Sequence, residues 1–510
     1  MPRAVVRIDL PNVGIDGRLG ELNFSALPFL QYIDISYNSL FGEIPQSIAS
    51  LAELSHLDLT GNRLHGQIPW EVGNMESLSL LELSLNNLTG TIPASLGNLT
   101  RLVQLTIHQT LLTGSIPEEL GKLTELKYLQ LSSAFLSGRI PESLGNLTKL
   151  SLLRLYYNQL SGPILSTLGN LVHLQSLQLS RNQLVGPIPP SLGNLSSLYE
   201  IWMYENKLVG SIPAEIGSLV GLQTLHLSEN LISGSIPDTL TNLKDLNMFQ
   251  IFRNKLSGSL PLGFSNLTNL AVLDLANNFL SGELPSGFCS HGKLIQFTVS
   301  VNMFTGPIPR DIKTCRSLHI LDIAATQISG DISSLGPYPH LWFANLERNK
   351  LHGHLSKTWA SSINLTILDV ASNMITGSLP PELSRLVKLE ELILHNNNMT
   401  GNIPPELGNL THLYRLSLSQ NQFSGHIPPE FGQMISLQYL DLYMNRLTGS
   451  IPQELGSCTE LLFLRINDND LTGYLPTTLG RLKKQMQQLL LVDMHWRVLV
   501  FISYQLKIQR

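Results

Sequence analysis

Apolar and polar residues alternate in one short pattern that returns about every 24 positions along this chain. In the segment "LRLYYNQLSGPI", residues 153–164, apolar residues alternate with other types and lead to Asn158. We call this asparagine position the corner of the repeat. In every repeat the residues five and three positions before the corner, and two after it, are apolar. Alternation with a period of two predicts a short strand whose apolar side chains face a core.

The corner occurs 20 times, with a spacing of 24 residues except for one step of 25 after Val13 and one of 23 after Thr326. Val13, Thr110, Ala134 and Thr326 fill four corners. The asparagine corners are Asn38, Asn62, Asn86, Asn158, Asn182, Asn206, Asn230, Asn254, Asn278, Asn302, Asn349, Asn373, Asn397, Asn421, Asn445 and Asn469.

The other recurring residues suit the turns of such a coil. A buried asparagine amide can satisfy backbone groups in a turn, and stacked repeats would align these amides in a ladder. Glycine stands four positions after every corner, from Gly17 to Gly473, where it tolerates a positive φ or a close approach. Proline stands seven positions after most corners and suits the start of a short helical turn.

These features predict an α/β solenoid. One coil of 24 residues cannot bury its own apolar edge, whereas stacked coils share a continuous core. We expect a single superhelix over residues 1–480, with parallel strands on a concave face and short 3-10 or helical turns on the convex face. At the usual spacing between strands, 20 coils would extend about 95 Å.

Residues 481–510 are predicted to form a tail outside the repeats. With a step of 24 the next corner falls at Asp493, but its apolar positions then hold Gln488 and His495. Alternating apolar residues near Val498 allow a strand that covers the end of the core. A truncated or misread gene product is the favoured explanation.

The pattern LxxLxxLxLxxNxLxGxIPxxLGxL resembles the plant-specific leucine-rich repeat, over nearly the whole chain. The opening "VVRIDLPNVGIDGRLGELNFSALPFLQYIDISYNSL" is similar to the first repeats of long ectodomains of plant receptor-like kinases, of the MDIS-interacting receptor-like kinase type. The resemblance implies a module on the extracellular face of the plasma membrane that binds a secreted peptide or protein and a co-receptor on its inner curve. The Ser/Thr kinase of such receptors has no counterpart here. A signal peptide, a cysteine-paired cap and a membrane helix are not visible either, so we expect a chain truncated at both ends.

The residues that face outward from the strands, four and two positions before the corner, give the candidate site. Aromatic residues cluster there in repeats 7 to 11, with arginine and polar residues around them, which is the composition of a binding hot spot. A second interpretation, that these aromatic side chains only pack on one another, stays open. Tyr157 lies beside its corner, where its side chain can point sideways. The predicted ligand-binding residues are Arg154, Tyr156, Tyr157, Gln178, Arg181, Trp202, Tyr204, His226, Phe252 and Arg253.

A later group, Tyr439, Tyr443 and Met444, is a candidate contact for a co-receptor. Some peptide receptors of this class bind the terminal carboxylate of the ligand with an Arg-x-Arg pair on one strand, and no strand here has that pair at its two outward positions. The acidic residues at outward positions match the consensus of the repeat and are therefore predicted to be structural. They are Asp58, Asp274, Asp322 and Asp369.

Composition excludes several partners and activities. The formal net charge is −5 and charged residues make up 14% of the chain, so no basic surface for nucleic acid is expected. No run of about 20 apolar residues predicts a membrane span. No kinase or hydrolase motif and no histidine cluster with ligand spacing occurs, so no catalytic residue, metal or cofactor is predicted.

The three cysteines leave two possibilities for Cys289 and Cys315, which are 26 residues apart in successive coils: a disulfide, which we favour and which the resembled family often has at such a pair, or two buried thiols. Cys458 is expected to be a small buried side chain. If the chain is secreted, nine N-x-S/T sequons are candidates for glycosylation: Asn23, Asn87, Asn98, Asn146, Asn194, Asn266, Asn364, Asn398 and Asn409.

The predicted function is ligand recognition without catalysis. One alternative is a soluble leucine-rich-repeat protein, such as an inhibitor of a cell-wall hydrolase; such inhibitors commonly have about ten repeats and intact cysteine caps. A receptor-like protein, a fragment of a full-length receptor kinase and a fragment without a function of its own stay open as well.

Overall fold

The computed structural model describes residues 4–482 and 488–490. It divides into two compact units, which meet in sequence at Ser257 and Gly258.

The first unit is a stack of coils that each contribute one three-residue strand to a parallel sheet. Neighbouring strands pair in register, so that Leu129 lies opposite Leu153, and Leu153 opposite Leu177. The strands are Arg7–Asp9, Tyr32–Asp34, His56–Asp58, Leu80–Glu82, Gln104–Thr106, Tyr128–Gln130, Leu152–Arg154, Ser176–Gln178, Glu200–Trp202, Thr224–His226 and Met248–Gln250.

After each corner of the first unit the chain forms a second short strand and then, in most coils, a 3-10 helix. The second strands pair in parallel with those of adjacent coils and are Asp16–Arg18, Ser39–Glu43, Arg63–Gln67, Asn87–Thr89, Thr113–Ser115, Phe135–Arg139, Gln159–Pro163, Gln183–Gly186, Lys207–Leu208, Ser233–Gly234 and Lys255–Gly258. The 3-10 helices are Leu19–Glu21, Phe24–Ala26, Gln46–Ser50, Trp70–Asn74, Ala94–Asn98, Glu118–Lys122, Glu142–Asn146, Ser166–Asn170, Pro190–Asn194, Ala214–Ser218 and Asp238–Asn242.

The second unit has the same construction. Its main strands are Val272–Asp274, Gln296–Thr298, Ile320–Asp322, Phe343–Asn345, Ile367–Asp369, Glu391–Ile393, Arg415–Ser417, Tyr439–Asp441, Phe463–Arg465 and Gln488–Leu490. Its second strands are Phe279–Glu283, Met303–Thr305, Ser329–Asp331, Lys350–His354, Met374–Thr376, Thr400–Asn402, Gln422–Gly425, Arg446–Gly449 and Asp470–Leu471. One short α-helix, Arg310–Lys313, accompanies the 3-10 helices Leu262–Asn266, Lys357–Ser361, Pro381–Arg385, Pro405–Asn409, Pro429–Gln433, Gln453–Ser457 and Thr477–Leu482.

Burial follows the alternation seen in the sequence. In the coil that ends at Asn158, the side chains of Leu153, Leu155 and Leu160 are fully buried, while the residues between them are half-buried or exposed. The same pattern recurs in both units. In each unit one face of the sheet packs against a continuous leucine core, and the opposite face is not covered by that core. The predicted fold class, a leucine-rich-repeat solenoid with parallel strands and 3-10 turns, is confirmed.

The asparagine corners form the amide ladder that the sequence predicts. The Asn182 side-chain oxygen accepts a hydrogen bond from the buried Leu160 N–H in the preceding coil, at 3.0 Å. Its Nδ2 donates to the carbonyl oxygen of Leu155 in that coil at 2.9 Å and to that of Leu179 in its own coil at 3.1 Å. Each amide therefore connects two coils and satisfies backbone groups that water does not reach.

Two backbone features differ from the expectation. Gly17 has an ordinary φ and no close neighbour, and the glycine with a positive φ in the first coil is Gly14. The other glycines of this series have positive φ, as predicted.

The residue just before the corner also has a positive φ in all 20 repeats, and it is glycine only at Gly61. Non-glycine residues seldom adopt this conformation, and nothing in the residue types at this position indicates it.

One strand lies inside the segment predicted to be outside the repeats. Gln488–Leu490 pairs with Phe463–Arg465, and Leu489 lies opposite Leu464. Because Leu464 is five positions before its corner, this strand sits one residue later than a step of 24 would place it. The remaining part of the predicted tail, including Asp493 and Val498, lies outside the described residues.

Replacing a corner amide is expected to destabilise the first unit. We expect Asn182→Ala to lower the free energy of unfolding by about 1–3 kcal/mol, because the Leu160 N–H stays buried without a partner. The reciprocal change, Ala134→Asn, supplies an amide at a buried corner that has none and is expected to stabilise by about 1 kcal/mol. Urea unfolding followed by circular dichroism measures the free energy of unfolding of both variants. If both substitutions changed it in the same direction by the same amount, the corner amide would not have the role described here.

Candidate ligand-binding site

The uncovered sheet face of the first unit brings several predicted residues into one row. The strand pairing places Arg154 beside Gln178, Gln178 beside Trp202, and Trp202 beside His226. All are four positions before a corner, so their side chains project on the face opposite the leucine core. Since parallel strands lie about 4.8 Å apart, neighbouring side chains in this row are within reach of one another.

Four side chains, Trp202, Tyr204, His226 and Phe252, form a cluster that we call the aromatic wall. The Tyr204 and His226 rings stack, with centroids 4.3 Å apart and an interplanar angle of 20°. The Trp202 ring meets His226 edge-on at 5.3 Å, and the Phe252 ring lies 6.1 Å from His226. Aromatic pairs at these separations and angles attract one another beyond the effect of buried area. The wall is thus a packed group, and Trp202, Tyr204 and Phe252 remain half-buried on the sheet face.

The two arginines beside the wall are each paired with a glutamate. The Arg181 guanidinium lies 2.9 Å from the Glu205 carboxylate, and Arg253 lies 3.2 Å from Glu229. Arg181 also lies 5.6 Å from the centre of the Tyr157 ring and 5.8 Å from that of Tyr204, within the range of a cation–π interaction.

The predicted site residues thus fall into two groups. Tyr157 joins the wall through Arg181 and is 55% exposed. Its φ of 57° turns the residue aside from the strand direction. Tyr156 and Arg154 are half-buried on the same sheet face and lie outside the ring contacts of the wall.

Glu200 is a residue of this site that the sequence reasoning missed. Its carboxylate accepts hydrogen bonds from Trp202 Nε1 at 3.0 Å and from Gln178 Nε2 at 2.9 Å. It therefore fixes the orientation of the indole and joins it to the adjacent strand. Continuing the period of two by one more step, to six positions before the corner, would have found it.

His226 is the most enclosed polar side chain of the wall. It is 9% exposed, and neither ring nitrogen has a hydrogen-bond partner among the described residues. Burial disfavours the charged form and lowers the pKa of His226 from 6.5 to about 4. The imidazole is therefore neutral at neutral pH.

A second aromatic group lies on the sheet face of the second unit. The Tyr439 and Phe463 rings stack at 4.2 Å, with an interplanar angle of 1°. The guanidinium carbon of Arg465 lies over the Tyr443 ring, 3.5 Å from its centre. Met444, next to Tyr443, is 51% exposed. The three residues of the predicted co-receptor contact thus adjoin two further residues, Phe463 and Arg465, which the sequence reasoning did not include.

The outward aspartates act within the fold. The Asp58 side chain accepts a hydrogen bond from the Thr60 N–H at 2.8 Å, and that of Asp369 accepts one from the Ala371 N–H at 2.9 Å. Asp274 and Asp322 make the equivalent bonds. Burial raises the pKa of Asp369 to about 7.

Cys289 and Cys315 are joined by a disulfide, with Cα atoms 5.7 Å apart. Cys458 is buried, and its thiol donates to the Phe431 carbonyl oxygen at 3.1 Å. Eight of the nine sequon asparagines are exposed; Asn364 is half-buried and its Nδ2 donates to the Pro339 carbonyl oxygen at 3.0 Å.

Neither a metal site nor a membrane-spanning helix occurs in the described part of the chain. No group of three or more His, Cys, Asp or Glu side chains in residues 4–482 and 488–490 could hold a metal ion. Over the same ranges, no helix has the length and apolar character needed to cross a membrane.

Comparison with known families agrees with the fold. A family model for a leucine-rich repeat region matches residues 46–187. A model for the single leucine-rich repeat matches residues 29–51, 221–243, 269–291, 364–386, 388–410, 412–434 and 436–458. No curated protein sequence matches the chain.

Solved structures define the family more closely. The ectodomain of the Arabidopsis receptor kinase HAESA, bound to an N-terminally extended IDA peptide hormone, has a TM-score of 0.89 and 36% identity over 95% of this chain and 81% of its own. The chain belongs to the leucine-rich-repeat ectodomains of plant receptor kinases. The plant peptide hormone receptor RGFR1, in complex with RGF2, has a TM-score of 0.87 and 33% identity over 94% of this ectodomain and 80% of its own length. HAESA in complex with IDA and the co-receptor SERK1 has a TM-score of 0.85 and 33% identity, and the match covers 96% of this ectodomain and 86% of that chain.

The buried imidazole predicts a pH dependence of stability. Between pH 6.5 and about 4 the unfolded chain binds a proton at His226 that the folded chain does not, so stability falls as the pH falls through this window. The loss from this residue is expected to reach about 3 kcal/mol. We expect His226→Phe to lose less stability than the wild type over this range, as measured by urea unfolding at a series of pH values. A constant difference between the two proteins would show that His226 is not the residue responsible.

Proposed function

We propose that this ectodomain binds an extended peptide on the sheet face of its first unit, with the aromatic wall and Tyr157 as anchors. The observation that carries the proposal is the wall itself: four ring side chains on adjacent strands, with paired arginines beside them. Large aromatic and arginine side chains at the centre of a contact dominate binding energies. The relatives HAESA and RGFR1, solved with peptide hormones, support a peptide as the class of ligand.

The geometry favours a ligand that lies across several strands. Tyr157, Arg181 and Glu205 follow one another at the same position of successive coils, and Phe252 lies two strands beyond Tyr204. Two strand spacings amount to about 10 Å, which an extended chain covers with about three residues. A peptide of ordinary length can therefore contact the whole wall without folding.

Signalling would require parts that lie outside the described residues. We propose an extracellular location at the plasma membrane, glycosylation at the exposed sequons and no catalysis by this module, with a kinase and a membrane anchor supplied elsewhere. The assignment to the MDIS-interacting receptor-like kinase type stays a prediction from the opening repeats. A soluble inhibitor of a cell-wall hydrolase is the less favoured alternative, because the solved relatives are receptor ectodomains.

The binding test uses the full chain, secreted from insect or plant cells and immobilised. Synthetic secreted plant peptides, with IDA and RGF2 as the first probes, are measured by biolayer interferometry against wild type and Tyr157→Ala/Tyr204→Ala. We expect the double substitution to weaken the affinity for the peptide at least 30-fold, because the loss of even one anchor of this type costs about 2 kcal/mol or more.

Tyr128→Ala is the matched control for this test. Tyr128 is 42% exposed at the start of a strand in the same unit, three strands before that of Trp202. We expect the Tyr128→Ala protein to bind the peptide with the same affinity as wild type. A peptide that binds all three proteins equally would place the ligand site away from the wall and overturn the proposal.

A second contact surface is supported by the group around Tyr443. We propose that Tyr439, Tyr443 and Met444 contact a co-receptor, because the exposed Met444 follows Tyr443, whose ring lies 3.5 Å from the Arg465 guanidinium. The solved complex of HAESA with IDA and SERK1 supports this kind of partner.

This second proposal has a separate test. Tyr443→Ala/Met444→Ala is expected to reduce peptide-dependent association with the SERK1 ectodomain at least tenfold while leaving peptide binding unchanged, because the two surfaces involve different residues. Size-exclusion chromatography and interferometry measure the two quantities. Tyr474→Ala, at a tyrosine that is 77% exposed outside the strands, is the control. Unchanged association in the Tyr443→Ala/Met444→Ala protein would remove this surface from consideration.

A further inference from the structure

We propose that His226 determines the specificity of the aromatic wall, and that it selects a ligand residue with an uncharged polar side chain, a carboxamide or a hydroxyl. This inference rests on the proposed function, since it concerns the ligand of the same surface.

The first observation is the state of the imidazole. The His226 ring is 9% exposed, and both of its nitrogens are buried without a hydrogen-bond partner among the described residues. Most buried polar groups in folded proteins are hydrogen-bonded, and leaving one unpaired is unfavourable. A phenylalanine ring would occupy this position among Trp202, Tyr204 and Phe252 without that cost. Packing alone therefore does not account for a histidine here.

The second observation is the charge around the ring. The neutral imidazole offers one N–H donor and one bare nitrogen acceptor. Two ion pairs flank the wall, Arg181 with Glu205 and Arg253 with Glu229. Glu200 accepts hydrogen bonds from Gln178 and Trp202. A carboxylate placed at the ring would have to break one of the two ion pairs or stay uncompensated, and an ammonium would have to compete with Gln178 and Trp202 for the Glu200 carboxylate. An uncharged polar group needs neither.

The third observation concerns access to the ring. Tyr204 covers one face of the imidazole by stacking at 4.3 Å, while Trp202 and Phe252 meet it at angles of 61° and 44°. Because both ring nitrogens are buried, a ligand group can reach one only if a side chain around the ring moves. Side-chain rotamer changes of this kind are common when an interface forms. Binding then replaces an aromatic contact with a hydrogen bond that the free protein lacks.

Because the ligand is unidentified, the test begins with selection of peptides that bind the aromatic wall. A random dodecapeptide display library is panned on the full secreted chain and counter-selected on Trp202→Ala/Tyr204→Ala, so that only peptides that need the wall are kept. Their affinities are then measured on wild type, on His226→Phe and on the control Tyr128→Ala. The melting temperature of free His226→Phe is recorded as well.

The expected result has three parts. The selected peptides share Asn, Gln, Ser or Thr at one position, and His226→Phe weakens them at least tenfold while Tyr128→Ala does not. Replacing the shared peptide residue with Leu or Val weakens binding to wild type by a similar factor and causes no further loss on His226→Phe, as a direct contact requires. Free His226→Phe melts at a higher temperature than wild type, because it has no unpaired nitrogens.

Three further outcomes separate this inference from the proposed function. If the peptides need the wall but bind His226→Phe as tightly as wild type, or if their shared residue is charged or apolar, the role of His226 is wrong and the proposed site stands. A lower melting temperature of His226→Phe, with binding unchanged, makes the histidine a packing residue. If no peptide distinguishes wild type from Trp202→Ala/Tyr204→Ala, both proposals fail.

Discussion

The hydrogen bonds of the corner asparagine are the constraint on which the rest of the molecule depends. A coil turns away from its strand at this point, and its backbone groups enter a leucine core where water does not compete. The Asn182 amide meets this demand by accepting from Leu160 and donating to Leu155, both in the coil before it. Because one side chain serves two coils, each repeat sets the position of the next one. The backbone ladder sets the spacing of the strands, and the corner amide satisfies the polar groups that this stacking buries.

The sheet face is therefore free to vary in a way that the core is not. Leu153 and Leu155 are fully buried and have no room for a different shape, whereas Tyr156, which follows them in sequence, has only part of its surface covered. Substitutions on this face change what the protein contacts with little effect on how it folds. The aromatic wall uses that freedom, and its one buried polar ring, His226, is the position where an outward residue does carry a folding cost.

The sequence predicted the fold well because a 24-residue period repeats every packing requirement many times over. It predicted the wall less completely, since the repeat assigns each residue a facing direction but not its partner. The period of two places Glu200 on the outward face, but only the folded structure shows its carboxylate bound to Trp202. The positive φ of Tyr157, 57°, was not predicted either, because it results from hydrogen bonds between coils and not from a preference of tyrosine. The strand at Gln488–Leu490 follows a step of 25, which a fixed period cannot anticipate.

The positive φ before each corner has a consequence for how such surfaces diversify. At this position tyrosine, arginine, glutamate, valine and alanine all adopt the same left-handed conformation, as Tyr157, Val301 and Ala325 illustrate. The N–H of the residue donates to the next coil, as from Tyr157 to the Ser180 carbonyl oxygen at 2.9 Å, so the backbone is held whatever the side chain. Each coil thus presents one side chain, which can be exchanged for another, from the same backbone conformation and at a regular spacing. A new ligand preference can therefore evolve one coil at a time, with no coordinated change elsewhere in the repeat.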